Sequence, residues 1–283
     1  MINLDSETKR MDVLDKHLNE CGLSHYERVS AETKPAEDMS TWMHTMCPKG
    51  VGGSAASHRK IWKEVISKNL DMAMILEDDV RFVDGAMDEL DKALEDLPED
   101  FDILYVGSSG LNNAEIQEPK DLLLYPVSLY TGRTGKKISD RLVAPLAPYD
   151  IHAYIISNKG AKKLLEQEQF LCFLDSDINI TRGINMYACS PSLASQADEE
   201  FGSHSATTFP YLVTGVFGRG KVAPNIKWLE LFNTFPISIW VVVFGIISAF
   251  NPIFLLVLLP DVYWNFNMVM STLLIMFLTK LVL

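Results

Sequence analysis

From Phe235 to Leu259 the chain carries no formal charge, and from Val262 to Leu283 only Lys280 does. No other feature restricts the fold so strongly, because runs this apolar cannot lie open to water along their whole length. About 20 apolar residues cross the hydrocarbon core of a bilayer as a helix. The two runs, separated by Pro260-Asp261, therefore predict a hydrophobic helical hairpin at 235–259 and 262–283, a membrane anchor over 229–283 that follows a domain at 1–228. A hairpin buried in a protein core is the alternative. Asn251-Pro252 falls inside the first run, where proline would kink the helix or make it re-entrant. Trp228, Trp240, Tyr263 and Trp264 stand near the expected interfaces. Arg219, Lys221 and Lys227 precede the first run, and Lys280 comes late in the second. Positive-inside logic then puts both ends in the cytosol, with the preceding domain facing the cytoplasm. The first ten residues lack the basic start and apolar core of a signal peptide.

Residues 1–228 alternate between strand-like and helix-like patterns, which predicts an α/β sheet. Met1–Leu4, Asp71–Leu76, Phe101–Val106 and His152–Ser157 are short apolar runs suited to strands. Lys9–Cys21, Ser54–Lys68, Gly85–Leu97 and Asn158–Glu168 have helical spacing. Leu111–Pro148, rich in Gly, Pro and Lys, predicts long loops. Net charge is -12, from 37 acidic against 25 basic residues, and no Lys/Arg-rich run stands out, which argues against a nucleic-acid partner. The four cysteines, Cys21, Cys47, Cys172 and Cys189, form no CxxC pair, so neither a zinc site nor a dithiol motif is indicated.

The sharpest local feature is Met74-Ile75-Leu76-Glu77-Asp78-Asp79-Val80, an apolar strand running straight into three carboxylates. Ligands in open α/β sheets bind beyond the carboxyl ends of strands. Adjacent carboxylates repel one another unless a cation compensates. Residues 77 and 79 of an extended segment share a side, and hard oxygen ligands at that spacing suit Mg²⁺ or Mn²⁺, ions that also bridge substrate phosphates. An exposed acidic turn opening the next helix would look the same.

Other segments, in order, carry a resemblance. Ile2-Asn3-Leu4 with Arg10 and Leu14 comes first, and Gly50-Val51-Gly52-Gly53-Ser54-Ala55-Ala56-Ser57-His58 with Trp62 follows. Ile75-Leu76-Glu77-Asp78-Asp79-Val80 is next, then Ala153-Tyr154-Ile155-Ile156-Ser157 with Gly160-Ala161 and Lys163-Leu164-Leu165. Asp175 and the closing Pro191, Leu193 and Gln196 complete the set. Over about residues 2–196 the chain resembles glycosyltransferase family 25, which contains lipopolysaccharide glycosyltransferases and collagen galactosyltransferases. Ser54 stands where the family has cysteine, and Leu174 where it has proline. The resemblance implies a GT-A-type nucleotide-sugar-binding sandwich, a UDP-sugar donor with galactose one candidate, Mn²⁺ as the metal, and inversion at the anomeric carbon.

With that resemblance, Glu77 and Asp79 are the candidate metal ligands, while Asn3, Arg10, Gly53, Ser57, His58 and Asp78 are candidates for holding the donor. Inversion needs a carboxylate base within hydrogen-bond reach of the acceptor hydroxyl. Asp175 and Asp177 both qualify, and helix capping would explain either equally well. Asn3 also suits a turn, Arg10 an exposed helix face, His58 a satisfied core position, and Trp62 the core. Gly50, Gly52 and Gly53 suit a backbone that approaches a phosphate, or simply a tight turn. Ser57 next to His58 lacks the nucleophile-elbow pattern of a hydrolase. The expected activity is sugar transfer to a glycan, a glycolipid or other lipid-linked saccharide, or a protein. A non-catalytic tethered scaffold on the same fold is the competing expectation, and a metal-dependent phosphatase or nuclease a third.

Overall fold

The computed structural model describes residues 1–46, 49–111, 125–167, 174–197, 229–231, 235–237, 239–259, 262 and 266–283. Contacts divide the chain into two units, Met1–Thr45 with Lys49–Phe201, and Met46–Pro48 with Gly202–Leu283.

The first unit is α/β. Its first strand, β1 (Ile2–Asn3), pairs in parallel with β2 (Val29–Ser30). Between them runs α1 (Thr8–Glu20), which buries Arg10, Leu14 and Leu18 on one face. The i, i+4, i+8 spacing makes that face, so Arg10 is carried inward by its own helix. The short helix α2 (Thr41–Met46) precedes α3 (Lys49–Ser67). The latter starts five residues before the helix expected at Ser54 and takes in Gly50–Gly53, so the expected glycine turn is helix instead. Each glycine costs a helix about 1 kcal/mol against alanine. Close packing compensates: a Cβ on Gly53 would lie 2.3 Å from the Glu32 carbonyl oxygen, and one on Gly52 would lie 2.4 Å from Pro35 Cγ.

The main sheet has six strands of mixed direction. At one edge β3 (Met72–Leu76) pairs antiparallel with β8 (Ala147–Ser157), whose other side pairs antiparallel with β5 (Ile103–Leu111). Strand β5 runs parallel to β9 (Met186–Cys189). Beyond it lie β7 (Leu142–Ala144) and β6 (Lys136–Lys137), both antiparallel to their neighbours. A separate antiparallel pair joins β4 (Val80–Phe82) to β10 (Ala194–Gln196). Among the described residues the unit's other helices are α4 (Ala86–Glu95), α5 (Tyr125–Thr131), α6 (Asn158–Leu165) and α7 (Leu174–Ile180). Helix α6 starts at Asn158 as predicted, and Ser157 caps it, its hydroxyl accepting from the Gly160 N–H. Helix α3 packs on α6, and α7 packs along β8. The core holds Leu14, Leu18, Leu76, Val80, Leu104, Val106, Leu142 and Cys189. Residues 112–124, most of the first part of the expected loop region, and 168–173, ahead of Asp175, lie outside the described residues.

The second unit contains a short antiparallel pair, Leu229–Leu231 with Phe235–Ile237. Two helices follow, α8 (Ile239–Phe250) and α9 (Phe266–Val282), with a 3-10 helix at Pro252–Leu258 between them. These pack on each other closely enough that a Cβ on Gly245 would stand 2.6 Å from Ile275 Cγ2. Val241, Leu258, Met268 and Val269 are its buried centre. The expected pair of spans at 235–259 and 262–283 is not supported: among the described residues no helix is long and apolar enough to cross a membrane. In the first run the break lies at Asn251-Pro252. Proline has no N–H to donate and forces the preceding residue out of helical conformation. Asn251 is accordingly extended, at φ -143 and ψ 101, and its side chain accepts from the Ile253 N–H. Beyond the break the first run continues only as the 3-10 segment Pro252–Leu258, so the α-helices described are one of 12 residues in the first run and one of 17 in the second. At 1.5 Å per residue these reach about 18 Å and about 26 Å, against a hydrocarbon core of about 30 Å. Trp228, Tyr263, Trp264 and the Pro260-Asp261 break lie outside the described residues.

Candidate functional site

Strand β3 delivers Glu77, Asp78 and Asp79 into the short turn before β4. Three backbone bonds hold that turn. The Glu77 N–H donates to the His152 carbonyl at 2.8 Å, the Val80 N–H to Glu77 at 3.3 Å, and the Ala197 N–H to the Asp79 carbonyl at 2.8 Å. A parallel bridge between Ile2 and Glu77 sets β1 alongside the strand end, which brings Asn3 and Arg10 to the carboxylates.

The three acids then diverge in role. Asp78 is engaged at both oxygens: Asn3 Nδ2 donates to Oδ2 at 2.9 Å and Arg10 Nη1 to Oδ1 at 3.0 Å. Asn3 is itself held, since its Oδ1 accepts from Arg28 Nε at 3.1 Å and Nη2 at 3.0 Å. Asn3, Arg10 and Asp78, expected to touch the donor, are thus knitted to one another as the wall of the site. Arg10 is buried rather than exposed on its helix, and lies 3.9 Å from Asp79 Oδ2.

Glu77 is held from the other side, with His58 Nε2 3.1 Å from Oε1. The Glu77 side chain keeps 23% of its surface exposed while His58 keeps 1%. Burial alone would raise the Glu77 carboxyl; the His58 hydrogen bond, with the fields of His58, His152 and Arg10, more than offsets it and leaves Glu77 below the usual carboxylate value. On its far side His58 Nδ1 is 2.9 Å from the Tyr154 hydroxyl, which also accepts from Trp62 Nε1–H at 2.9 Å.

Ser57 serves packing: its hydroxyl donates to the Gly53 carbonyl at 2.7 Å and accepts from the Glu32 N–H at 2.7 Å. Gly53 sits against the same Glu32 backbone, so this pair pins the segment after β2 onto α3. Asp177 is buried on α7, where its carbonyl accepts from the Thr181 hydroxyl at 2.8 Å. Asp175 falls in the first turn of α7, and its side chain lies outside the described residues.

Sequence reasoning missed His152 and Tyr154, two residues apart on β8, and Arg28 behind Asn3. His152 is 2% exposed and neither ring nitrogen has a hydrogen-bond partner among the described residues. Gly107 on the neighbouring strand β5 leaves room for the ring, because a Cβ there would stand 2.4 Å from its Nε2. The available signal was the alternation His152-x-Tyr154, two polar aromatic residues within an apolar strand.

Among the described residues no group of three or more His, Cys, Asp or Glu side chains is arranged to hold a metal ion. The pair predicted from sequence is Glu77 and Asp79, which flank Asp78 in the turn. One or two carboxylates are what the protein usually contributes to a Mg²⁺-type ion shared with substrate phosphates, so these residues fit such an ion without forming a cage of their own.

Comparison with known proteins bears on the same segments. The family model described as glycosyltransferase family 25 (LPS biosynthesis protein) matches residues 1–179. Procollagen galactosyltransferase 2 of Mus musculus is 27% identical over 187 residues, covering 60% of this chain and 27% of the relative. Procollagen galactosyltransferase 1-A of Xenopus laevis is 32% identical over 132 residues, covering 46% of this chain and 19% of the relative. Inactive glycosyltransferase 25 family member 3 of Mus musculus is 30% identical over 128 residues, covering 44% of this chain and 19% of the relative. The chain thus spans between 19% and 27% of the length of these three proteins. The family match takes in β1, the strand-end carboxylates and most of α7, and on it the chain belongs to glycosyltransferase family 25.

Proposed function

We propose that the chain transfers a sugar from a UDP-sugar donor to a hydroxyl of a glycan, a lipid-linked saccharide or a protein. The fold would be of GT-A type and the transfer inverting. The observation that carries this reading is the turn after β3, where Asp78 is consumed by Asn3 and Arg10 while Glu77, steadied by His58, keeps its outer side exposed. Glu77 and Asp79 would hold Mn²⁺ or Mg²⁺. Such an ion, when bound, offsets the charge of the departing nucleoside diphosphate. Arg10 adds a fixed positive charge behind the pair. Asp175 or Asp177 would take the proton of the attacking hydroxyl, a reading supported by their helix α7 packing along β8, the strand that pairs with β3. Galactose is favoured as the sugar because two of the relatives named above are called galactosyltransferases.

A second reading rests on the mouse relative named inactive: the fold would bind a nucleotide or glycan without transferring anything. UDP release by the full chain, over a panel of UDP-sugars with and without Mn²⁺, separates the two. Transfer predicts metal-dependent release from one donor, lowered about 100-fold or more in Glu77→Ala/Asp79→Ala, in line with the loss of ligands that stabilise transition-state charge. Metal-dependent UDP binding without release from any donor would favour the second reading. Neither binding nor release would overturn both.

A further inference from the structure

Four side chains from three distant parts of the chain form one buried hydrogen-bonded line that ends at Glu77. Trp62 and His58 come from α3, Tyr154 from β8 and Glu77 from the end of β3. Trp62, Tyr154 and His58 are 1%, 0% and 1% exposed, so water does not compete for their polar atoms. With His58 as a neutral imidazole, the chemistry of the two ends fixes the direction of every bond between them. An indole N–H can only donate and an ionised carboxylate can only accept. Trp62 Nε1–H donates to the Tyr154 hydroxyl oxygen. At the other end Glu77 Oε1 needs a proton on His58 Nε2. His58 Nδ1 is then the acceptor, and the Tyr154 O–H supplies it. Burial also pushes the Tyr154 phenol well above its ordinary value, so it keeps the proton it gives.

We infer that Tyr154, with Trp62 behind it, is a positioning residue: it holds His58 in the Nε2–H tautomer, and His58 in turn aims the Glu77 carboxylate outward for a divalent cation shared with a nucleoside diphosphate. The inference deepens the transferase reading and rests on it for the identity of the ligand. It assigns work to two aromatic side chains that would otherwise count only as core. Partners one step removed from a metal set ligand orientation and basicity, and losing one typically costs 10–100-fold in metal affinity or activity.

The test has two independent readouts on the full chain. Long-range ¹H–¹⁵N spectra of the histidine rings need no donor, no acceptor and no metal. They should show His58 as the Nε2–H tautomer in the wild type and as a mixture of tautomers in Tyr154→Phe. Titration of Mn²⁺ in the presence of UDP, followed by the electron paramagnetic resonance of the free ion, should show Kd rising about tenfold or more in Tyr154→Phe and by a smaller factor in Trp62→Phe. Two substitutions of His58 separate aiming from simple packing. His58→Gln places an amide N–H close to where Nε2–H stands and should stay within a few-fold of wild type, whereas His58→Asn places its amide near Nδ1 and should lose Mn²⁺ as Tyr154→Phe does. An Nδ1–H tautomer in the wild type, an unchanged Kd in Tyr154→Phe, or equal losses in the Gln and Asn variants would overturn the inference. If the wild type binds Mn²⁺ and UDP and shows these effects but transfers no sugar, the positioning chain stands and the transferase reading falls.

Discussion

Arg10 and Asp78 meet with 6% and 13% of their side chains exposed, and the consequence for stability is larger than a surface ion pair would give. Removing one partner of a buried pair leaves the other charge desolvated, which typically costs 3–5 kcal/mol. Arg10→Met should therefore lower unfolding stability by about 3 kcal/mol in urea titrations, the lower figure applying because Asn3 still donates to Asp78. Arg10→Met/Asp78→Leu should regain part of the loss, since Asp78 is then not stranded while Asp79 still lacks its Arg10 neighbour; a double variant no better than the single would show that Asp78 was never the cost. How far the sequence foretold these roles varies with the residue. Glu77 and Asp79 announced themselves, because an apolar strand of five residues points at its own end. Arg10 was legible and misjudged: it lies on the same helical face as Leu14 and Leu18, a spacing that marks it as inward-facing. Tyr154 and His58 are 96 positions apart, and no local pattern links two residues at that distance.

At the scale of elements, the glycines of α3 are the informative case. Local preference favours a turn at Gly50–Gly53, and the packing of Gly53 on the Glu32 carbonyl overrides it. Gly53→Ala gains about 1 kcal/mol of helix propensity. It also forces a methyl group to 2.3 Å from a backbone oxygen, which something must move to relieve. The net expectation is a destabilisation of about 1–3 kcal/mol. Ser54→Ala, one residue on at an exposed position, should be neutral within about 0.5 kcal/mol in the same denaturation assay. Equal effects at both positions would refute the packing account. The C-terminal elements show the opposite balance. There the apolar runs were legible, but the break at Asn251-Pro252 outweighed them: a rigid ring and a capping side chain divide the first run into a helix of 12 residues and a 3-10 segment of 7.

For the molecule as a whole, the alternation of strands and helices gave the α/β class, while the order β3-β8-β5-β9-β7-β6 was out of reach. Apolar periodicity says which face a strand buries and nothing about which neighbour it takes. That order buries Cys189 in the main core beside Leu104, Val106 and Leu142. Burial pushes its thiol up to about 12, so both access and thiolate are withheld in the folded state. Alkylation at pH 8, read peptide by peptide in a mass spectrometer, should label Cys21 first, since it is only half-buried, although burial raises its thiol as well. Cys189 should follow only as the first unit unfolds, at least about a thousandfold more slowly for a domain of ordinary stability. Comparable rates would mean that this core opens without global unfolding.

The same strand order has a consequence in time. The carboxylates of β3 leave the ribosome early, but the carbonyl that receives the Glu77 N–H and the hydroxyl that orients His58 both belong to β8, which ends at Ser157. At 5–20 residues per second, roughly 4 to 16 seconds of synthesis separate the two strands. Throughout that interval the nascent chain carries three mutually repelling acids with no aimed ligand among them, so the proposed cation site would be completed late in the life of this polypeptide, once a strand translated far downstream has docked.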